Sequence, residues 1–361
     1  MEMIQRPHIN LEIDEIDQFK VKPNDDELRF GATFTDRMLL REYKNSEWQT
    51  GRIIKHQNFS LPPETIVFHY GQEIFEGQKA FTQESGKKVI FRLDENAKRF
   101  KKSAERMVMP TLEEGYFEES IRRLVEMEKD WIPKKRGTAL YIRPCMIATE
   151  PALGVHASTE YYFFTILSPS GPYFAEGFAP TKIKVEDKYV RAVVGGTGAV
   201  KAGGNYAASL YAAKIAQEEG YSQVLWLDAH EHQYVEEVGA MNIAFVLDDV
   251  VYTAPLGGSI LPGITRKSVL QLCDDLGIKT KEVALSIDTI IEGIKTGNLT
   301  EVFGIGTAAS IAPVGVLGYH EENLVINDNK IGDVTQRLYD ELLGIQYGSI
   351  EDRHGWILPI E

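Results

Sequence analysis

From Asp94 to Met107 the apolar side chains Ala97, Phe100, Ala104 and Met107 recur at the spacing of one helix face, and Asp94 stands where an N-cap would. The same rhythm runs through Phe117, Ile121, Leu124, Met127 and Trp131 and stops before Pro133. It returns at 265–276, 286–295 and 333–345, the last with Val334, Leu338, Leu342 and Ile345 on its inner side. A further helix opens at Lys201 and closes near Gly220. Between these stretches the pattern shortens. Residues 28–43, 66–70, 78–81, 140–147, 160–167, 182–185 and 223–228 read as strands. The alternation predicts a mixed α/β fold, with a sheet-rich opening half.

Residues 168–180 are rich in Pro and Gly and lack periodicity, which marks a connection. A chain of 361 residues exceeds what one compact core usually holds. The expected division is a small N-terminal α/β domain over 1–175, a linker at 176–181, and a larger mixed domain over 182–361, with an active site in the cleft between the domains.

Composition narrows the chemistry. With 43% hydrophobic and 25% charged residues the chain has the balance of a globular protein. A formal charge of -14 opposes phosphate backbones and anionic lipid, so neither nucleic acid nor membrane is expected as a partner. The two cysteines, Cys145 and Cys273, stand far apart and form neither a CxxC pair nor a disulfide framework, which fits a reducing cytoplasm. The acidic start, with Glu2, Glu12, Asp14, Glu15 and Asp17, reads as neither a signal nor a transit peptide.

Lys201-Ala202-Gly203-Gly204-Asn205-Tyr206 sets one lysine beside two glycines and a phenol at the start of a helix. A lysine that holds an aldehyde cofactor covalently needs such a setting, because a flat ring lies against glycine backbone and the phenol reaches a ring hydroxyl. The same residues also fit a surface lysine beside a turn. Glu236-Glu237 ends a strand and offers a carboxylate for a pyridine nitrogen, or else a solvated acidic pair. Leu261-Pro262-Gly263-Ile264-Thr265-Arg266 puts free amides and a hydroxyl at a helix start, suited to a phosphate or to an ordinary cap. Arg99 offers a balancing cation. Tyr141 and Arg143 alternate on one strand face and so can meet a carboxylate together. Gly304-Ile305-Gly306-Thr307-Ala308-Ala309 matches a relaxed dinucleotide turn, but a strand with Pro313 follows it where that turn requires a helix. His230-Glu231-His232 lacks a third ligand, so no metal is expected.

In order and spacing, these segments resemble the branched-chain amino acid aminotransferases of the fold-type IV pyridoxal-phosphate group. The resemblance extends from Phe30-Gly31 and Phe68-His69-Tyr70, through Phe75-Glu76-Gly77, Tyr141-Ile142-Arg143-Pro144, the lysine segment and Glu237-Val238-Gly239, to Gly306-Thr307-Ala308. It implies pyridoxal 5′-phosphate as cofactor, with Lys201 as anchor and proton carrier, Tyr206 on the ring oxygen and Glu237 on the ring nitrogen. Arg99, Ile264, Thr265 and Thr307 would take the phosphate. The substrate carboxylate would meet the amides of Thr307 and Ala308, helped by Tyr70 or Tyr141, and Phe30, Tyr70, Phe75, Tyr141 and Tyr173 would wall the branched side chain. Arg143 would accommodate glutamate in the same pocket. The resemblance also implies a homodimer, small amino acids and 2-oxo acids as partners, and, because Ala309 and Ala312 replace a CxxC found in some members, no thiol control of that kind. Rival readings are a D-amino acid aminotransferase or lyase of the same fold, a non-catalytic binding protein, and a nicotinamide dehydrogenase.

Overall fold

The computed structural model describes residues 7, 9–171 and 177–360. The chain divides into two compact units, residues 1–173 with 345–361, and residues 174–344.

The first unit is built on a ten-stranded sheet. Its first nine strands are β1 (Leu11–Ile13), β2 (Arg37–Lys44), β3 (Glu47–Trp48), β4 (Gly51–Lys55), β5 (Glu73–Phe75), β6 (Gln78–Thr82), β7 (Lys88–Phe91), β8 (Ala139–Ala148) and β9 (Tyr161–Ser170). β8 and β9 are the long central pair, antiparallel from Ala139↔Ser170 to Ala148↔Tyr161. Because side chains alternate along a strand, β8 sends Leu140, Ile142 and Met146 to one face and Tyr141, Arg143 and Cys145 to the other. The first face is the core. It packs against Phe100 and Ala104 of helix α2 (Leu93–Arg106) and Phe117, Ile121 and Leu124 of helix α3 (Tyr116–Met127). These are the positions whose helical spacing the sequence displays. The opposite face of the sheet lines a cavity of about 530 Å³, with Met38, Phe59, Phe68, Phe164 and Ile166 among its walls.

Three expectations for this unit need correction. Residues 66–70 form a short helix, α1 (Ile66–Tyr70), closed by Gly71 at φ 59°, and not a strand. Five residues are too few to reveal a period, and the β-branched Ile66 and Val67 favour the wrong state. Residues 28–36 are not strand: Phe30 sits in a turn with Gly31 at φ 68°, and pairing begins only at Arg37. Asp94 lies inside the first turn of α2, whose N-cap is Arg92.

The second unit carries a nine-stranded sheet of β10 (Thr181–Glu186), β11 (Gln223–Leu227), β12 (Val235–Val238), β13 (Met241–Leu247), β14 (Val250–Thr253), β15 (Thr280–Glu282), β16 (Leu299–Gly306), β17 (Ser310–Tyr319) and β18 (Glu322–Val325). Ala212 and Ala216 of helix α4 (Gly203–Glu218) pack on Val224 and Trp226 of β11. Leu225 and Leu227, one residue out of phase, meet Ile287 and Ile290 of helix α6 (Ile287–Thr296) on the other face. Helix α5 (Ile264–Asp275) and helix α7 (Asp333–Tyr347) complete the set. Residues 310–319 are strand, so the turn before them opens no dinucleotide-type helix.

The chain ends in the first unit, which corrects the expected domain span of 182–361. Strand β19 (Ile357–Ile360) pairs antiparallel with β7, and the Tyr347 hydroxyl donates to the Thr138 carbonyl at 2.7 Å. The expected linker 176–181 also runs one residue too far, since Thr181 already opens β10, while residue 176 lies outside the described residues. Among the described residues no helix is long and apolar enough to cross a membrane.

Candidate active site

In the second unit the lysine segment is held from behind by Asn205. Its side-chain amide donates to the Thr197 carbonyl at 2.8 Å and to the Val200 carbonyl at 3.0 Å, while its oxygen accepts from the Thr197 hydroxyl. The backbone just before α4 is thereby fixed although Gly203 and Gly204 are poor helix formers. Lys201 is half-buried at this entrance, and its Nζ donates to the Tyr206 hydroxyl at 2.7 Å.

Glu237 comes from β12, paired with Trp226 on one side and Asn242 on the other, so it lies on the sheet face covered by α4. Its carboxylate is buried. Oε1 accepts from Asn242 Nδ2 at 2.9 Å and from the Leu261 amide at 3.2 Å. Arg191 Nε lies 2.5 Å from Oε2 as an ion pair, without the alignment of a hydrogen bond, and Oε2 makes none among the described residues. Burial pushes the carboxyl up to about 7, opposed by the charge of Arg191, the Leu261 amide and the charge of Lys201. Glu236, its neighbour, points elsewhere and accepts from the Ser259 hydroxyl.

Asn242 also donates to the Leu261 carbonyl at 3.0 Å, which ties β13 to the loop leading into α5. Gly263 leaves room for this side chain, since a Cβ there would stand 2.0 Å from Asn242 Oδ1 and displace it. Gly263 is the N-cap of α5 and supplies no side-chain cap, so the amides of Ile264 and Thr265 begin the helix with that end of its dipole exposed to an anion. Thr307 and Ala308 form the tip of the β16–β17 hairpin, closed by the pair Gly306↔Ser310.

In the first unit Phe30, Phe75, Tyr141 and Arg143 come together on the non-core face. Phe30 meets the Tyr141 ring edge-on at 4.8 Å between centroids. The Arg143 guanidinium lies 4.7 Å over Phe75 and 5.2 Å from Tyr141, and Nη2 donates to the Tyr141 hydroxyl at 3.1 Å. Gly77 makes room for that hydroxyl, because a Cβ would fall 1.9 Å from it. Tyr70 lies half exposed on α1, its hydroxyl donating to the Leu153 carbonyl. Tyr173 lies outside the described residues. Arg99 is buried, with Nε and Nη2 on the two oxygens of Glu76 at 2.7 and 2.9 Å. Glu76, which also takes Asn96 Nδ2 and the Gly77 amide, is what aims this arginine.

The model for amino-transferase class IV matches residues 73–316 of the chain. The chain belongs to the class IV aminotransferases. It is 48% identical to branched-chain-amino-acid transaminase 1 of Bacillus subtilis (strain 168) over 95% of this chain and 97% of that one. It is 49% identical to the probable branched-chain-amino-acid aminotransferase of Staphylococcus aureus (strain N315), over 96% of this chain and 97% of the other. Its fold is similar to the crystal structure of the Escherichia coli branched-chain amino acid aminotransferase, with a TM-score of 0.74 at 27% identity, covering 89% of this chain and 99% of the other. Class IV aminotransferases are pyridoxal-phosphate enzymes.

Arg191, Asn242, Asn205 and Glu76 carry much of this geometry, and the sequence reading gave none of them a role. Asn205 and Glu76 stand within the quoted motifs, and Asn242 lies five residues after Glu237 on the returning strand. Arg191 is an isolated arginine in a loop and leaves no periodic signal.

Proposed function

We propose that the chain is a branched-chain amino acid aminotransferase that moves the amino group of L-leucine, L-isoleucine or L-valine to 2-oxoglutarate with pyridoxal 5′-phosphate. The observation that carries this is Lys201 Nζ hydrogen-bonded to the Tyr206 hydroxyl beside a buried Glu237 carboxylate whose Oε2 lacks a hydrogen bond. A pyridine N–H is the partner such an oxygen fits, and a glycine-capped helix start suits a phosphate. When bound, the cofactor supplies an aldehyde and an electron-withdrawing ring.

The protein's own residues divide the remaining work. Lys201 holds the cofactor and moves a proton at Nζ, and the Tyr206 hydroxyl orients that amine. Glu237 favours the protonated ring. Arg99, Thr265, Thr307 and the Ile264 amide serve the phosphate, the least direct being Arg99, whose guanidinium is aimed by Glu76. The amides of Thr307 and Ala308, with Tyr70 or Tyr141, take the substrate α-carboxylate. Phe30, Phe75, Tyr141 and Tyr70 would wall the aliphatic side chain, a role that the resemblance also gives Tyr173. Arg143 answers the second carboxylate of glutamate, and its stacking over Phe75 leaves an aromatic surface for leucine when that carboxylate is absent. The proposal extends to a cytoplasmic homodimer, supported by the exposed apolar side chains of Phe68, Tyr70, Leu153 and Val155.

Absorbance of the protein loaded with cofactor tests the reading. The long-wavelength band of the bound cofactor should move to shorter wavelength with leucine and return with 2-oxoglutarate. A band that ignores leucine and responds to D-alanine would replace this function with that of a D-amino acid enzyme.

A further inference from the structure

Arg191 is buried in the loop after β10 and reaches three separate segments of the second unit. Nε pairs with Glu237 Oε2 on β12, Nη1 donates to the Ser259 carbonyl at 3.1 Å, and Nη2 approaches the Gly198 carbonyl at 3.4 Å. Gly198 stands three residues before Lys201 and packs so closely that a Cβ there would lie 2.1 Å from the Ser259 oxygen. One guanidinium therefore spans the loop that carries the lysine, the loop that leads into α5, and the carboxylate assigned to the ring nitrogen.

A carboxylate as buried as Glu237 protonates unless positive charge and hydrogen bonds oppose the loss of water. The charged groups acting on it are Arg191, Lys201 and Glu236, together with the Leu261 amide. Asn242 adds a hydrogen bond to Oε1. Arg191 is the cation in direct contact, and it is in contact with the oxygen that Asn242 and Leu261 leave alone. The other two groups fix Oε1, so the carboxylate plane is set from both ends. Its planar fork suits this task, because it presents several donors in fixed directions and does not lose its proton.

We propose that Arg191 is a positioning residue of the transamination site, which keeps Glu237 ionised, fixes the direction of its Oε2, and holds the Gly198 and Ser259 loops in register with it. This rests on the functional reading above, which gives Glu237 its role. Arg191 itself touches neither substrate nor cofactor in this scheme.

The test follows the Glu237 carboxyl by infrared difference spectroscopy in the full chain freed of cofactor, with Glu237→Gln identifying the band. In Arg191→Gln the protonated carboxyl should persist to a pH about 1 to 3 units higher than in the parent protein, the size of effect expected from a cation in contact. Arg191→Lys, which keeps the charge and is the safer variant for folding, should restore most of the parent titration while still weakening pyridoxal phosphate binding, measured by fluorescence, because a single ammonium cannot span three partners. Unchanged titration in both variants, even with a lowered melting temperature, would overturn the proposal and leave Arg191 as packing alone. Adding pyridoxal phosphate to the parent protein at pH 6.5 separates the two claims: a protonated band that stays would refute the assignment of Glu237 to the ring nitrogen, whereas the cofactor-free titration judges Arg191 independently.

Discussion

Replacing Arg143 with Gln should divide the two halves of the reaction. The side chain leaves β8 on the non-core face, stacks over Phe75, and donates to the Tyr141 hydroxyl, so its head is positioned by two rings while remaining half-buried. The substitution removes the charge and keeps a hydrogen-bonding amide of shorter reach. A hydrogen bond to a charged group contributes about 1.5–3 kcal/mol, and partial exposure argues against larger values for a fully desolvated pair. At about 1.4 kcal/mol per factor of ten, kcat/KM for 2-oxoglutarate should fall roughly 10- to 150-fold. Leucine brings no second carboxylate, so its loss should stay within a few-fold, from the missing contact with Phe75. Single-turnover absorbance with each substrate separates the two values. Equal losses would refute the reasoning, since they would place Arg143 on the α-carboxylate that both substrates share.

Gly263→Ala should loosen the cofactor without touching it: the new methyl displaces the Asn242 side chain, so Glu237 Oε1 keeps only the Leu261 amide and the Leu261 carbonyl loses the Asn242 donor. Equilibrium binding of pyridoxal phosphate should weaken by about tenfold or more, from a loss of about 1–3 kcal/mol on leaving buried polar groups unsatisfied. The cofactor-free protein should also lose stability as pH rises through about 7, because the Glu237 carboxyl is raised from its unfolded value and the folded state binds the extra proton over that interval. Denaturant unfolding at pH 5 and pH 8 checks this: the parent should lose more stability than Glu237→Gln between those values, by on the order of 3 kcal/mol at most, and equal losses would mean that Glu237 ionises as an exposed acid does.

The parts of the fold that local spacing encodes were legible in the sequence. Helices α2, α3, α5, α6 and α7 are long enough to show their period: Phe100, Ala104, Phe117, Ile121 and Leu124 lie in the core of the first unit, Ile287 and Ile290 in that of the second, and Val269, Leu272, Leu338, Leu342 and Ile345 are buried. α1 was missed because five residues do not complete a second turn. The return of 345–361 to the first unit was missed because the pairing of Ile357 with Phe91 spans most of the chain and leaves no mark near either residue. The site divides in the same way. Lys201 and Tyr206 share one motif, and the structure joins them directly. Arg191 and Glu237 meet only because β10, β11 and β12 lie side by side, which no local pattern specifies. Phe30 and Tyr141, far apart in the chain, meet only because the turn at Phe30 is brought against β8, a contact that no local pattern specifies.

The central claim is that Lys201 is the residue on which pyridoxal phosphate is held and amino transfer takes place. Borohydride reduction of the protein loaded with cofactor, followed by peptide mapping, tests it most directly. The account predicts a phosphopyridoxyl group on Lys201 alone, and none there when leucine has first converted the cofactor to its amine form. A label on any other lysine, or a label on Lys201 that leucine leaves unchanged, would contradict it.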